Sequence, residues 1–230
     1  MNRKIIQFLS WDTEHFGFKV GKFYADPQLF DRNALMDIMK VEGYKLVYLF
    51  SNEKLPIEDF YDYKLIYTKK RSVCNAVYVN EEIVSYRGKS YGKDLEEIAI
   101  ASGFFSRYHQ DPEFPDEKFE DLYKLWLANS VNGELATDVL VQIDHKKRPK
   151  GLITYKVEKE SASIGIIAVS AETRNSGIGS SLIHFYENNL PEDVTELKVV
   201  TQEINKPACC FYERIGYKVF ERSFVYHIWI

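Results

Sequence analysis

The spacing of apolar residues changes several times along this chain, and each change marks a predicted element. KIIQFL (4–9) and FKVGKFY (18–24) read as strands on either side of a polar connection, SWDTEHFG. In FDRNALMDIMKVEG, Phe30, Leu35, Ile38 and Met39 fall near helical spacing, and Gly43 supplies the stop. YKLVYLF then reads as a buried strand, LPIEDFYDY as a short helix and KLIYTKK as a further strand. Strand, helix, strand, helix, strand is an α/β order.

Residues 81–92 are polar and carry Gly88 and Gly92, which places a domain boundary there, between 1–92 and 93–230. Two helices are predicted next: DLEEIAIASGFFSRYHQ, interrupted by Gly103, and DEKFEDLYKLWLANS, with a stripe of Phe119, Leu122, Leu125 and Trp126. Three strands follow closely, TDVLVQID, KGLITYKVE and SASIGIIAVS, with a compact turn at Pro149 and Gly151. Connections this short favour an antiparallel meander over βαβ crossovers. A Gly-rich turn then leads into a helix through Leu182, Ile183, Phe185 and Tyr186, and ELKVVTQ is the next strand. In NKPACCFYERIGY, Asn205 is suited to cap a helix, Pro207 to its first turn and Gly216 to the left-handed position at its end. YKVFERSFVYHIWI supplies two more strands.

A formal charge of −4, with basic residues only in short runs such as KKR at 69–71 and 146–148, speaks against a nucleic-acid surface. Cys74, Cys209 and Cys210 have no metal-binding spacing, and no metal is expected. The first residues do not resemble a signal peptide and no window reaches the length of a membrane span, so the expectation is a reduced, cytoplasmic protein.

The turn Arg174-Asn175-Ser176-Gly177-Ile178-Gly179 invites a phosphate reading. A P-loop needs a Lys after its glycines, and here Ser180 and Ser181 follow. A dinucleotide fingerprint needs a third glycine, and Leu182 stands in that place. What survives is a set of backbone N–H donors at a helix start, with Arg174 adding a charge-assisted contact. The alternative is a tight β-to-α turn whose glycines only relieve strain.

The segment resembles the coenzyme A pyrophosphate loop of the GCN5-related N-acetyltransferases, with Arg174, Gly177 and Gly179 filling the pattern. The order of elements from about residue 135 to 230 is similar too: three antiparallel strands, loop, helix, strand, NxxAxxFYxxxGY and a terminal strand pair. Within that superfamily, LSWDTEHFGFKVGKF, SRYHQDPEF, FEDLYKLWLANS, VVTQEINKPACCFYERIGY and YHIWI resemble the bacterial dTDP-fucosamine acetyltransferases. The resemblance implies an α+β fold with a mixed sheet and an additional N-terminal α/β part. It also implies acetyl-CoA as cofactor and direct transfer to the 4-amine of a nucleotide-linked 4-amino-4,6-dideoxyhexose for surface polysaccharide. Alternative readings are an acetyltransferase for a peptide N-terminus or small amine, and a non-catalytic acyl-CoA-binding protein.

The resemblance makes Tyr212 the proton donor to the departing thiolate; helical spacing with Ala208, Phe211 and Ile215 would equally suit a core tyrosine. It gives the backbone of Ile167, Ala168 and Val169 to the pantetheine amides, residues 174–180 (Arg174, Asn175, Ser176, Gly177, Ile178, Gly179, Ser180) to the pyrophosphate, and Asn205 to the coenzyme's arm or to capping alone. Trp11, Asp12, Glu14, His15, Arg107 and His109 are the acceptor-side candidates, with Arg107 matched to a diphosphate. WDTEHFG is equally readable as a plain folded turn. His145 falls in a hairpin turn, His184 in the helix after the loop, and His227 in the terminal strand, and no general base is assigned. The VYHIWI strand is either internal or a two-fold pairing edge, which makes a homodimer possible.

Overall fold

The computed structural model describes residues 6–72 and 80–230; Cys74 and the first residues of KIIQFL lie outside them. Ten strands form one mixed sheet. They are β1 (Gln7–Phe8), β2 (Val20–Tyr24), β3 (Leu46–Ser51), β4 (Tyr61–Lys70), β5 (Ile83–Ser85), β6 (Asp138–Ile143), β7 (Pro149–Glu158), β8 (Ser161–Val169), β9 (Glu196–Gln202) and β10 (Lys218–Trp229). The spatial order is β1-β2-β3-β10-β4-β9-β8-β7-β6-β5. Seven helices complete the fold: α1 (Ser10–Phe16), α2 (Arg32–Glu42), α3 (Lys93–Ala101), α4 (Arg107–Gln110), α5 (Asp116–Val131), α6 (Ile178–Asn189) and α7 (Lys206–Arg214).

Strand alternation distributes the helices between the two faces. Val47, Leu49, Tyr226 and Ile228 bury with Leu35 and Met39 of α2, whereas Leu46, Tyr48 and Val225 bury with Tyr108 of α4 and Phe119 and Leu122 of α5. Further along the sheet, Ile153, Ile164 and Leu197 pack under α6 and α7, and Val139, Val141 and Leu152 pack under α3 and α5.

The predicted meander is present as β6, β7 and β8, all antiparallel. Asn205 caps α7, accepting from Ala208 N at 3.2 Å, and Gly216 takes φ +92° just past its end. Three expectations need correcting, and one left open is decided. SWDTEHF is not a polar connection but α1, which buries only Phe16 and so leaves no apolar stripe to read. LPIEDFYDY is loop running into β4, its backbone drawn into pairing with β10 and β9. The chain end forms one long strand, because a bulge between Val219 and Glu221 absorbs the break expected there. That strand is internal, between β3 and β4, so VYHIWI is not an edge for two-fold pairing.

Strand β5, inside 81–92, pairs with β6 as the far edge of the same sheet. No helix among the described residues is long and apolar enough to cross a membrane.

Candidate active site

The site begins with one extra residue. Ile153 pairs with Ile167 and Tyr155 with Ile164, so Gly165 and Ile166 of β8 together oppose Thr154 of β7. Such a bulge bends its strand and ends regular pairing. The Thr154 hydroxyl pins it by accepting from Ile166 N at 2.9 Å. A side chain at 165 would come within 2.8 Å of that hydroxyl, which explains the glycine. On its other edge, β8 runs parallel to β9 only from Ser161↔Glu196 to Ile164↔Val199, and then the two diverge. The backbone of 165–169 therefore presents its β9-side donors and acceptors to an opening in the sheet.

Two cavities meet at that opening. The larger, about 1170 Å³, is lined by Ile167–Val169 of β8, the 173–180 loop, Asn205 and one side of α7. The smaller, about 360 Å³, is lined by residues of β4, α4, α5 and the diverging parts of β8 and β9. Ser102, Ile167, Asn205, Ala208 and Tyr212 border both.

In the loop, Asn175 (φ +62°) and Gly177 (φ +88°) are both left-handed, and α6 starts without a side-chain cap. The first intrahelical bond there is Ser181 N to Gly177 O at 2.9 Å. The amides of Ile178, Gly179 and Ser180 are consequently unspent by the helix, with the positive end of its dipole behind them. Ser176 ties the turn to Thr173 O at 2.5 Å, and exposed Arg174 lines the same wall. An anion fits this cradle, and amide groups fit the free edge of β8; those are the donor sets a phosphorylated, amide-bearing coenzyme needs.

Tyr212 is 4% exposed, and burial pushes its phenol well above the usual range, so it stays protonated at neutral pH. Its ring packs on Tyr67, whose own hydroxyl donates to Glu213 at 3.0 Å.

Behind the wall of the smaller cavity, reached through Arg107, stands a charge network largely absent from the sequence reading. Arg107 stacks over the rings of Tyr48 and Tyr108, 3.9 and 4.3 Å from their centres. It also bonds to Tyr108 Oη and meets His227 Nε2 at 2.9 Å. His227 Nδ1 faces Asp111 Oδ2 at 2.5 Å, and Trp229 Nε1 donates to the same oxygen at 2.8 Å. Burial drives the His227 pKa down to about 4, with the neighbouring Arg107 charge adding to this against the Asp111 hydrogen bond. Burial alone would raise Asp111, yet the hydrogen bonds from His227 and Trp229 prevail and hold it below the usual range. Asp62, 6% exposed, lines this cavity, and burial raises its pKa to about 6 against the opposing charge of Arg107.

The predicted residues thus divide. Ile167, Ala168, Val169, Arg174, Asn175, Gly177, Ile178, Gly179, Ser180, Asn205 and Tyr212 share the wall of the larger cavity. Arg107 lines the smaller one, and His109 the larger, where its ring packs on Phe104 and Phe119. Asp12 is half-buried, and burial raises its pKa against the nearby charge of Arg107. Trp11 stacks on His15 at 5.1 Å; neither of them, nor exposed Glu14, lines either cavity. Asp62, Asp111 and His227 were missed. The available signal was an acidic or basic residue inside an aromatic or apolar run, as in DFYDY and FVYHIWI.

This geometry coincides with a family match. Residues 110–227 match the acetyltransferase (GNAT) domain family, just over half of the chain. The chain belongs to that family.

Among curated relatives, the spore coat polysaccharide biosynthesis protein SpsD of Bacillus subtilis (strain 168) is 25% identical over 137 residues, 58% of this chain and 46% of SpsD. The chain thus spans less than half the length of that relative. Two solved structures are similar in fold. One is a functionally unknown conserved protein from Staphylococcus epidermidis, with a TM-score of 0.68 at 13% identity, covering 99% of this chain and 92% of that one. The other is a GCN5-related N-acetyltransferase from Sphaerobacter thermophilus, with a TM-score of 0.54 at 14% identity, covering 97% and 76%. The mixed α/β architecture expected from the sequence is that of a GNAT acetyltransferase.

Proposed function

We propose that this GNAT protein transfers the acetyl group of acetyl-CoA to the 4-amine of a nucleotide-linked 4-amino-4,6-dideoxyhexose. The observation that carries the reading is the meeting of two unequal cavities at Tyr212. The larger suits the coenzyme: residues 174–180 would hold its phosphates and 167–169 its amides, and it supplies an acetyl thioester at the junction. The smaller, at about 360 Å³, suits an amine on a group the size of one sugar ring. Similarity to SpsD supports a polysaccharide setting.

Tyr212 holds a proton at the junction and gives it to the leaving sulfur, whose thiol has an ordinary pKa of about 8.5. No covalent intermediate on the protein is needed, so Cys209 and Cys210 take no part.

The test is mass spectrometry of purified protein with acetyl-CoA and a panel of dTDP- and UDP-linked 4-amino sugars, free amino sugars and small primary amines. A gain of one acetyl group on a nucleotide-linked 4-amino sugar, absent without protein, is expected. Acetylation confined to free sugars or simple amines would overturn the nucleotide-sugar assignment and leave the transferase.

A further inference from the structure

An amine acceptor is a cation near neutral pH and reacts as the free base, so a group in the acceptor cavity that pairs with the ammonium and takes a proton from it would serve the reaction. The lining of the smaller cavity narrows the choice to one. Its residues include Lys64 and Arg107, three tyrosines and polar Gln202 and Asn205, but no histidine and a single carboxylate. That carboxylate is Asp62.

Its placement follows from the sheet. Asp62 stands near the start of β4, directly opposite Val225 of β10, and Lys64, two residues on, pairs with Gln202 of β9. Asp62 therefore sits beside the stretch where β9 has lost β8, on the sheet face covered by α4 and α5. It makes no ion pair within 4 Å among the described residues, although Arg107 and Lys64 are near enough to stabilise its charge. A buried carboxylate with no cation in direct contact is costly, and the Gln202 hydrogen bond and the charges of Arg107 and Lys64 offset only part of that cost, since burial still prevails. An incoming ammonium would offset the rest.

We propose that Asp62 pairs with the acceptor ammonium and takes a proton from it to free the amine for attack, while Arg107, fixed by His227 and Asp111, keeps Asp62 ionised between turnovers. This rests on the acetyl-transfer reading above and adds to it the residue on the amine side. The first ammonium proton passes to an Asp62 oxygen and on to water, which leaves a free amine; as that nitrogen bonds to the carbonyl carbon, its second surplus proton passes to Asp62. As the carbon–sulfur bond breaks, Tyr212 gives its proton to sulfur. Asp62 gives up this second proton, through water, to Tyr212, so that of the two protons lost by nitrogen one is released and one ends on sulfur.

Several charged or titratable groups surround Asp62. Lys64 shares its strand, Arg107 approaches from α4, Tyr123 from α5 and Tyr212 from α7. Asp12, Tyr48 and His227 lie behind Arg107. Arg107 is the cation with the largest effect on Asp62, and its own contacts explain why it is placed rather than mobile: two stacked rings, one hydroxyl and one imidazole nitrogen. The buried Asp62 carboxyl, raised to about 6, is close to the optimum for accepting a proton near neutral pH. A nitrogen that has begun to bond to a carbonyl is a much stronger acid than the free ammonium, so a base of this strength suffices.

The experiment is steady-state acetyl transfer with whichever amine of the panel turns over fastest, in wild type, Asp62→Asn and Asp62→Glu. Acetyl-CoA affinity is measured in parallel by calorimetry. Expected for Asp62→Asn are a loss of about 10²- to 10⁴-fold in kcat/KM, loss of the acid limb of the pH profile, and acetyl-CoA binding within about twofold of wild type. Asp62→Glu retains an acid limb at a reduced rate. A wild-type limb that persists in Asp62→Asn, with kcat/KM within about threefold, would overturn the role of Asp62 while transfer itself stands. Failure of wild type to acetylate any panel amine would overturn the transferase reading, and the role of Asp62 with it.

Discussion

Arg107 donates to Nε2 of His227 at 2.9 Å, although one residue starts the four-residue helix α4 and the other lies near the end of the last strand. The contact fixes the imidazole tautomer. With a pKa of about 4, His227 is neutral at pH 7, so Nε2 accepts from the guanidinium and Nδ1 keeps its hydrogen for Asp111. Positive, neutral and negative groups alternate along a buried line, and the cavity wall beside Asp62 receives its positive end.

That line implies an unusual pH dependence of stability. His227 falls from 6.5 to about 4 on folding, so the unfolded chain binds its proton more readily and stability is lost as pH drops through that window. Asp62 rises from 3.8 to about 6, which has the opposite sign: its contribution is complete below 3.8 and is lost as pH rises through 6. At about 1.4 kcal/mol per pKa unit each amounts to about 3 kcal/mol, and the two nearly cancel. Chemical denaturation between pH 7 and 4 should show Asp62→Asn losing stability relative to wild type on acidification, and His227→Gln gaining it. If both variants track wild type across the range, the opposed pair is not there.

Tyr212→Phe removes a phenol whose hydroxyl makes no hydrogen bond to another described residue, so the thermal midpoint should hold. kcat should fall by about a hundredfold, near the lower end of the range for proton donors, because a thiolate leaves tolerably without help. Acetyl-CoA affinity should be unchanged. Undiminished kcat across the pH range would remove Tyr212 from the chemistry.

The bulge on β8 should be sensitive at both of its supports. Thr154→Val leaves the buried Ile166 N–H without its acceptor and should cost about 1–3 kcal/mol. Gly165→Ala drives a methyl into the Thr154 hydroxyl at 2.8 Å and should also weaken acetyl-CoA binding by shifting the free edge of β8. Denaturant midpoints and calorimetry read the two effects separately. Unaltered acetyl-CoA affinity in Gly165→Ala would show that the bulge does not set the opening.

At Gly177 an added methyl meets nothing within 4 Å, so only backbone strain opposes it. Gly177→Ala at φ +88° should cost about 1 kcal/mol. If the amides after it hold the coenzyme's phosphates, acetyl-CoA affinity should fall about tenfold as the loop relaxes, and inorganic pyrophosphate should compete less well. Equal affinity in both proteins would place the phosphates elsewhere.

Much of the larger cavity's wall was legible because its signals are local. Gly177 and Gly179 mark a turn, Asn205, Pro207 and Gly216 delimit α7, and short connections force the meander. The smaller cavity depends on pairings between distant segments. Nothing near Asp62 in the sequence predicts that β4 will lie beside β10 or that α4 will bring a guanidinium over it. Helix α1 escaped because a seven-residue helix burying only Phe16 has no periodicity to display. His227 stood out only as an imidazole in an apolar strand, with no local hint of Asp111 as its partner.

The position of β10 also dictates an order of events during synthesis. Lys218–Trp229 fills the slot between β3 and β4, joining Leu46 to Trp229 and Tyr61 to Tyr226. Until those residues leave the ribosome, β3 and β4 both carry open edges, and the β1–β3 ribbon has no strand linking it to the rest of the sheet. Contacts of such long sequence separation form slowly, and open edges recruit foreign strands while they wait. The nascent chain is therefore prone to aggregation in the interval before β10 arrives, which is when a chaperone that shields strand edges would act on it.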